Sequence, residues 1–220
     1  MGMAMLQSTF GGLAEVARDN NGWVTWNLAL AIVPAALAVV LFGWPRSRHG
    51  FAWWAGVVAF VLFLPNAPYV VTDLVHLRGD VLAARSDVVV LAGVLPMYAA
   101  FVFAGFLAYV VSLDLLRAEV QRRRPAVRGP WFELTVHALC SIGIVLGRIA
   151  RLNSWDVATT PVGTLERAVT TLSWRGAPFA FVCVFLAVTL TYAVVHTLTA
   201  SFLRSKWLPW QPVRTRRIDS

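Results

Sequence analysis

Apolar residues fall into five long runs, at about 23–44, 51–71, 88–111, 131–150 and 178–203. Each is long enough to cross a hydrocarbon layer of roughly 30 Å as a helix that rises about 1.5 Å per residue. The pattern predicts an all-α, polytopic membrane helix bundle of about five transmembrane helices, with residues 1–220 forming one integral membrane domain. The second run is irregular. From Phe51 to Leu64 it offers 14 residues, about 21 Å of helix. Pro65 and Pro68 then each remove a backbone donor and bias Leu64 and Ala67 away from the helical region. The second helix is therefore expected to be kinked or broken at Pro65–Pro68. A break at membrane depth requires protein or a wet cavity to satisfy the freed backbone groups.

Composition agrees with the pattern: 58% of residues are hydrophobic and 14% charged, more apolar than a soluble core of this length can hide. The net charge of +8 does not point to nucleic acid, because the basic residues sit in the gaps between apolar runs, where they act as a topological signal. Arg46, Arg48, Arg117, Arg122, Arg123, Arg124, Arg128, Arg204, Lys206, Arg214, Arg216 and Arg217 fall on one side, 12 in all. The other side receives Arg18, Arg78, Arg85, Arg148, Arg151, Arg167 and Arg175, only 7, diluted by acidic neighbours. The N-terminus is expected outside and the C-terminus inside. Trp23, Trp26, Trp155 and Trp174 would mark the outer headgroup belt, and Trp44, Trp53, Trp54, Trp131, Trp207 and Trp210 the inner one. The first 22 residues lack the pattern of a cleaved signal peptide, so the first span is expected to target the chain itself.

Two polar clusters interrupt the apolar pattern where topology does not require them. The first is FLPNAPYVVTDLVHL, residues 63–77; after its prolines the run VVTDLVHLRGD would form an amphipathic helix with Asp73, His76 and Asp80 on one face. Asp and His at that spacing suit a base held by an acid, or two metal ligands. The plainer alternative is an interfacial helix wetting its polar side, with Asn66 capping the kinked turn. The second cluster is GRIARLNSWDV, residues 147–157. Back along its helix, Glu133, His137, Cys140, Ser141, Arg148 and Arg151 lie within a stripe roughly 100° wide, which must face protein or water. Thr189, Tyr192, His196 and Thr199 share a face of the fifth span and are expected to meet that stripe. Gly143 with Gly147, and Ala100 with Ala104 and Ala108, form small-residue stripes suited to close helix packing. Both clusters leave the bilayer on the same outer side, where Asp73 and Asp156 are placed to pair with Arg148 and Arg151. Such pairs make either a structural clasp or a site for a polar or anionic headgroup.

The pair of motifs, PNAPY-TDL-HL after a Trp-rich span and GR…R-NSWD some 70 residues later, resembles the prokaryotic integral-membrane family called domain of unknown function 1361. The resemblance runs from about Asn27 to Phe202. It implies the bundle and the location, a prokaryotic cytoplasmic membrane, and names no reaction. Cys140 and Cys183 stand apart without CxxC spacing, and phosphate-cradling, zinc-protease, serine-hydrolase and heme motifs are all lacking. No cofactor and no metal are expected. Two functions remain open. One is a binding, assembly or transport component whose ligand site comprises Asn66, Tyr69, Asp73, His76, Arg148, Arg151, Asn153, Trp155 and Asp156. The other is a membrane enzyme acting on a lipid or cell-envelope substrate, with Asp73 and His76 as catalytic candidates. The first is favoured, because one short helix supplies too few metal ligands. The partners expected are the bilayer and a polar or anionic lipid or envelope ligand.

The charge asymmetry predicts that single cysteines replacing Gly79 and Val157 react with an impermeant thiol reagent in intact cells, in a background lacking Cys140 and Cys183. Cysteines replacing Arg123 and Ser220 should react only after permeabilisation. Labelling of position 123 in intact cells would reverse the orientation.

Overall fold

The computed structural model describes residues 2–44, 50–84, 86–127 and 129–207, with side chains described between Thr9 and Phe202. Among the described residues the protein is helical and contains no strand. Five helices are long and apolar enough to cross a membrane, spanning Thr9–Phe42, Phe51–Ala83, Asp87–Arg123, Trp131–Ile149 and Ala177–Phe202. The protein is thus a multi-pass membrane helix bundle. Arg46, Arg48, Arg85, Arg128, Arg204, Lys206, Arg214, Arg216, Arg217, Trp207 and Trp210, used above to orient the chain, lie outside the residues whose side chains are described.

The first helix, α1 (Gly2–Phe42), starts well before the apolar run at residue 23. Its polar first half is held by tertiary packing: Leu13 reaches within 2.7 Å of where a Cβ on Gly93 would stand, and Val89 fills the space over Gly12. The second span begins as α2 (Phe51–Phe63) and bends at 64–65. It does not break. Leu64 keeps helical angles (φ −53°, ψ −40°) despite the following proline, against the usual bias. The chain continues as α3 (Asn66–Tyr69), a tighter 3-10 segment (Val70–Val75) and α4 (Leu77–Ala83). The span therefore reaches Ala83 and not 71. Asn66 helps close the bend, as its side-chain amide donates to the Phe63 carbonyl at 2.9 Å. Asp73, His76 and Asp80, expected on one face, nevertheless meet different helices, taking contacts with Arg148, Trp23 and Tyr98.

The third span starts at α5 (Asp87–Val89), passes through one wider turn at Val90–Val94 and continues as α6 (Leu95–Arg123). The basic stretch from residue 112, expected as a loop, is helix through Arg123. Glu119 explains the extension, for it takes hydrogen bonds from Arg122 and Arg123 at 2.5 and 2.7 Å, and Arg122 also donates to the Phe42 carbonyl that ends α1. Helix α7 (Trp131–Ile149) forms the fourth span and α10 (Ala177–Trp207) carries the fifth. Between them lie α8 (Asp156–Thr159) and α9 (Pro161–Leu172), which were not expected. In α9 the apolar residues Val162, Leu165, Val169 and Leu172 recur at helical spacing, but Thr, Glu and Arg between them hold its hydropathy below that of a span.

The core lies where α1, α6 and the bent second span meet, around the buried side chains Phe60, Val70, Phe106, Tyr109 and Leu113. Gly105 lets the two meet: a Cβ there would stand 2.6 Å from a Val70 methyl and 3.1 Å from the Ala67 carbonyl oxygen. The alanine stripe on the same helix does not pack as a unit, because Ala100 is exposed and only Ala108 is buried. Gly105→Ala is therefore expected to destabilise the fold by about 1–3 kcal/mol through overpacking, whereas Gly79→Ala, with open space around it, should be near neutral. Thermal unfolding of the purified variants in one detergent checks the contrast, and equal midpoints would show that the approach of Val70 to α6 is not tight.

Candidate functional site

The bent segment meets α7 through the glycine pair. A Cβ on Gly143 would stand 2.8 Å from the Pro65 ring, and one on Gly147 would stand 3.2 Å from the Tyr69 ring. The two sequence motifs thus lie in direct contact, and the GxxxG spacing matches the one-turn spacing of Pro65 and Tyr69. Asn66 extends the junction by donating to Ser154 Oγ at 2.9 Å.

Arg148, one residue beyond Gly147, is fixed from three directions. Its guanidinium lies 4.5 Å over the Tyr69 ring, its Nε donates to Thr72 Oγ1 at 2.8 Å, and it forms an ion pair with Asp73. Thr72 in turn donates to the Tyr69 carbonyl at 2.6 Å. Asp73 is almost wholly buried, at 2% exposure. Its second oxygen, Oδ2, has no partner among the described residues. A buried carboxylate at a membrane span requires such a cation, because an unpaired charge there is expensive.

The remaining candidates separate. His76 turns away from Arg148: its Nδ1 lies within hydrogen-bonding distance of the Asp73 backbone carbonyl, and its ring packs 5.5 Å from Trp23. Asp80 accepts a hydrogen bond from Tyr98 at 2.8 Å. Asp73, His76 and Asp80 thus each take a different partner. Asp156 pairs with no arginine among the described residues; its Oδ2 accepts from the Asn153 backbone N–H at 2.8 Å and closes the 153–156 turn. Arg151 is exposed, sits just past the end of α7 with φ +53°, and makes no ion pair among the described residues.

A cleft of about 700 Å³ opens beside this junction. Asn66, Tyr69, Arg148, Arg151, Asn153 and Trp155 line it, whereas Asp73, His76 and Asp156 do not. Its other walls come from Trp26, Asn27 and Leu30 on α1, from Val61 and Leu62 on α2, from Leu146 on α7, and from Thr164 and Ala168 on α9. The sequence reading missed Thr72, Ser154 and these α1 and α9 positions. An isolated threonine or asparagine carries no periodic signal, and only the fold brings α9 back over the end of α7.

The polar stripe of α7 is shared between two surroundings. Arg148 faces the bend, while Glu133, His137, Cys140 and Ser141 are buried along the rest of the helix. Glu133 pairs with Arg117, and its Oε2 has no partner among the described residues. His137 Nδ1 lies 2.9 Å from the Tyr109 hydroxyl, and its ring lies 4.7 Å from that of Tyr192. Tyr192 thus meets the stripe as expected. His196 lies 4.0 Å from Asp114 instead, Thr199 donates to carbonyls of its own helix, and Thr189 Oγ1 finds no partner among the described residues. His137 is a satisfied interhelical group.

Asp73→Asn should lower stability by about 1.5–3 kcal/mol, the scale of a hydrogen bond to a charged group, because Arg148 keeps its charge and loses its acid. Asp156→Asn, which retains an acceptor for the exposed Asn153 turn, should cost far less. Unfolding midpoints in a common detergent compare the two, and equal losses would show that the Asp73–Arg148 pair carries no special weight.

The comparisons with known proteins agree with the motifs. Residues 26–192 match a family model described as protein of unknown function (DUF1361). No curated protein and no solved structure gives a match. The matched region takes in both motifs, the bend and most of the bundle, and the chain belongs to the DUF1361 family.

Proposed function

We propose that the protein is a binding component of a prokaryotic cytoplasmic membrane, holding a polar ligand in the cleft between α1, the bent second span, α7 and α9. The observation that carries this reading is the cleft itself. Its volume of about 700 Å³ falls in the range of pockets that take small-molecule ligands, and side chains from both motifs converge on it. The asymmetry of basic residues supports an extracytoplasmic position for this end of the bundle, with the N-terminus outside. Assembly and transport are the cellular roles in which such binding would be used.

A catalytic role for Asp73 and His76 is less well supported. Neither lines the cleft, one Asp73 oxygen is engaged by Arg148, and the His76 ring packs on Trp23. A general base must lie within hydrogen-bonding reach of the proton it takes.

Filling the cleft from α9, which stands outside the core, tests the proposal without disturbing the Asp73–Arg148 junction. Native mass spectrometry of wild-type protein released from mild detergent should show co-purified adducts. Ala168→Trp should lose them, while Val182→Trp on the exposed face of α10 should keep them. The same adduct occupancy in all three proteins would remove the cleft as the binding site.

A further inference from the structure

The cleft changes character along its length. Its apolar part, formed by Leu30, Val61, Leu62 and Leu146, belongs to the spans. Its polar part lies at the end of the bundle, around Asn66, Arg151 and Asn153. Gly143, on the deeper wall, lies about 9 Å below the end of α7, counted at about 1.5 Å per residue. Val61, inside the second spanning segment, lines the cleft and is 58% exposed. The cleft is therefore open sideways at bilayer depth. A water-soluble ligand makes no use of the sideways-open apolar part, and a bare hydrocarbon makes no use of the polar part. Trp26 and Trp155 flank the polar part, as indoles do at headgroup level.

Charge selects the head. Asp73 answers Arg148, and Asp156 is turned into its own loop. Arg151 is left as a cation presented to the cleft with no acidic partner among the described residues. Its backbone supplies a second, independent sign. At φ +53° it occupies the left-handed position that follows a helix C-terminus, where glycine is usual and a long side chain is strained. An arginine gives the local turn nothing that glycine would not give more cheaply. A planar guanidinium aimed at a cleft is suited to the paired oxygens of a phosphate.

We infer that the ligand is a phosphate-bearing lipid that enters the cleft sideways from the bilayer, with its phosphate on Arg151 and its chain along Leu30, Val61, Leu62 and Leu146. This rests on the reading of the cleft as a binding site. Asn27 and Asn66 also line the cleft and supply hydrogen-bonding groups for the linkage between head and chain.

The test titrates the delipidated full chain by native mass spectrometry with three probes: dioleoyl phosphatidic acid, dioleoylglycerol and glycerol 3-phosphate. Phosphatidic acid should bind tightest. Arg151→Gly should weaken it roughly tenfold or more, the scale expected when a charge-assisted contact is lost, while leaving dioleoylglycerol unchanged. The same variant should unfold at a temperature equal to or above that of the wild type, because glycine suits the left-handed position. Arg151→Asn, also tolerated there, is the second variant if the glycine protein is poorly inserted. Unchanged phosphatidic acid affinity in both Arg151 variants overturns the inference. Glycerol 3-phosphate binding as tightly as phosphatidic acid, and lost in Ala168→Trp, also overturns it while leaving the cleft as a binding site. If Ala168→Trp alters the binding of none of the probes and keeps its native adducts, the binding site itself is refuted.

Discussion

Three glycines let the bent second span lie between two other helices. Gly143 and Gly147 on α7 receive Pro65 and Tyr69, and Gly105 on α6 receives Val70 from the other side. In a bilayer, helices gain little from hiding apolar surface, since lipid tails are as apolar as leucine, so close backbone approach and dispersion contacts carry the association. Pro65 and Pro68 make the approach productive. They bend the chain and tighten it into a 3-10 segment, which turns Thr72 and Asp73 toward α7, where Arg148 lies one residue past the glycine that made room. With a larger side chain at position 147 the Tyr69 ring would be pushed off, and the guanidinium would lose its stacking surface.

The Asp73–Arg148 pair follows from that packing. A carboxylate with 2% exposure inside a spanning segment would be costly alone, and a buried pair is weak evidence of stability in itself, because desolvation offsets much of the attraction. The additional contacts to Thr72 and Tyr69 shift the balance by satisfying the guanidinium more fully than the carboxylate could. The pair therefore fixes the register of the bend against α7. The cleft opens on the other face of the same contact, so one junction both locks the bundle and shapes the surface where a ligand would sit.

The opposite end of the bundle has its own polar layer, in which Arg117 with Glu133, and Glu119 with Arg122 and Arg123, tie α6 to α7 and to the end of α1. Arg123 lies 5.3 Å over the Trp53 ring there, and Trp53 donates to the Leu41 carbonyl. Charged groups thus gather at the two ends, and the midsection between them is filled by Phe60, Phe106, Tyr109 and Ile144. His137 and Tyr192 sit between the layers, satisfied by contacts with each other and with Tyr109.

The five spans, the bend at the prolines and the meeting of the PNAPY and NSWD segments were legible in the chain itself. Hydrophobic length is set by bilayer thickness, and proline acts on its own backbone, so both are local constraints. The start of α1 at residue 2, the run of α6 through Arg123, and α9 were not legible. Each depends on a partner distant in sequence: Leu13 against Gly93, Glu119 and Arg122 against the end of α1, and α9 folded back beside α7. The roles of the acidic residues were decided in the same way. Sequence spacing grouped Asp73, His76 and Asp80 on one face, but three different neighbours stand around that segment, and Arg148, Trp23 and Tyr98 each took one of them. Spacing along a chain fixes which side chains share a face, whereas the partner each one takes depends on which helix stands opposite it, and only packing decides that.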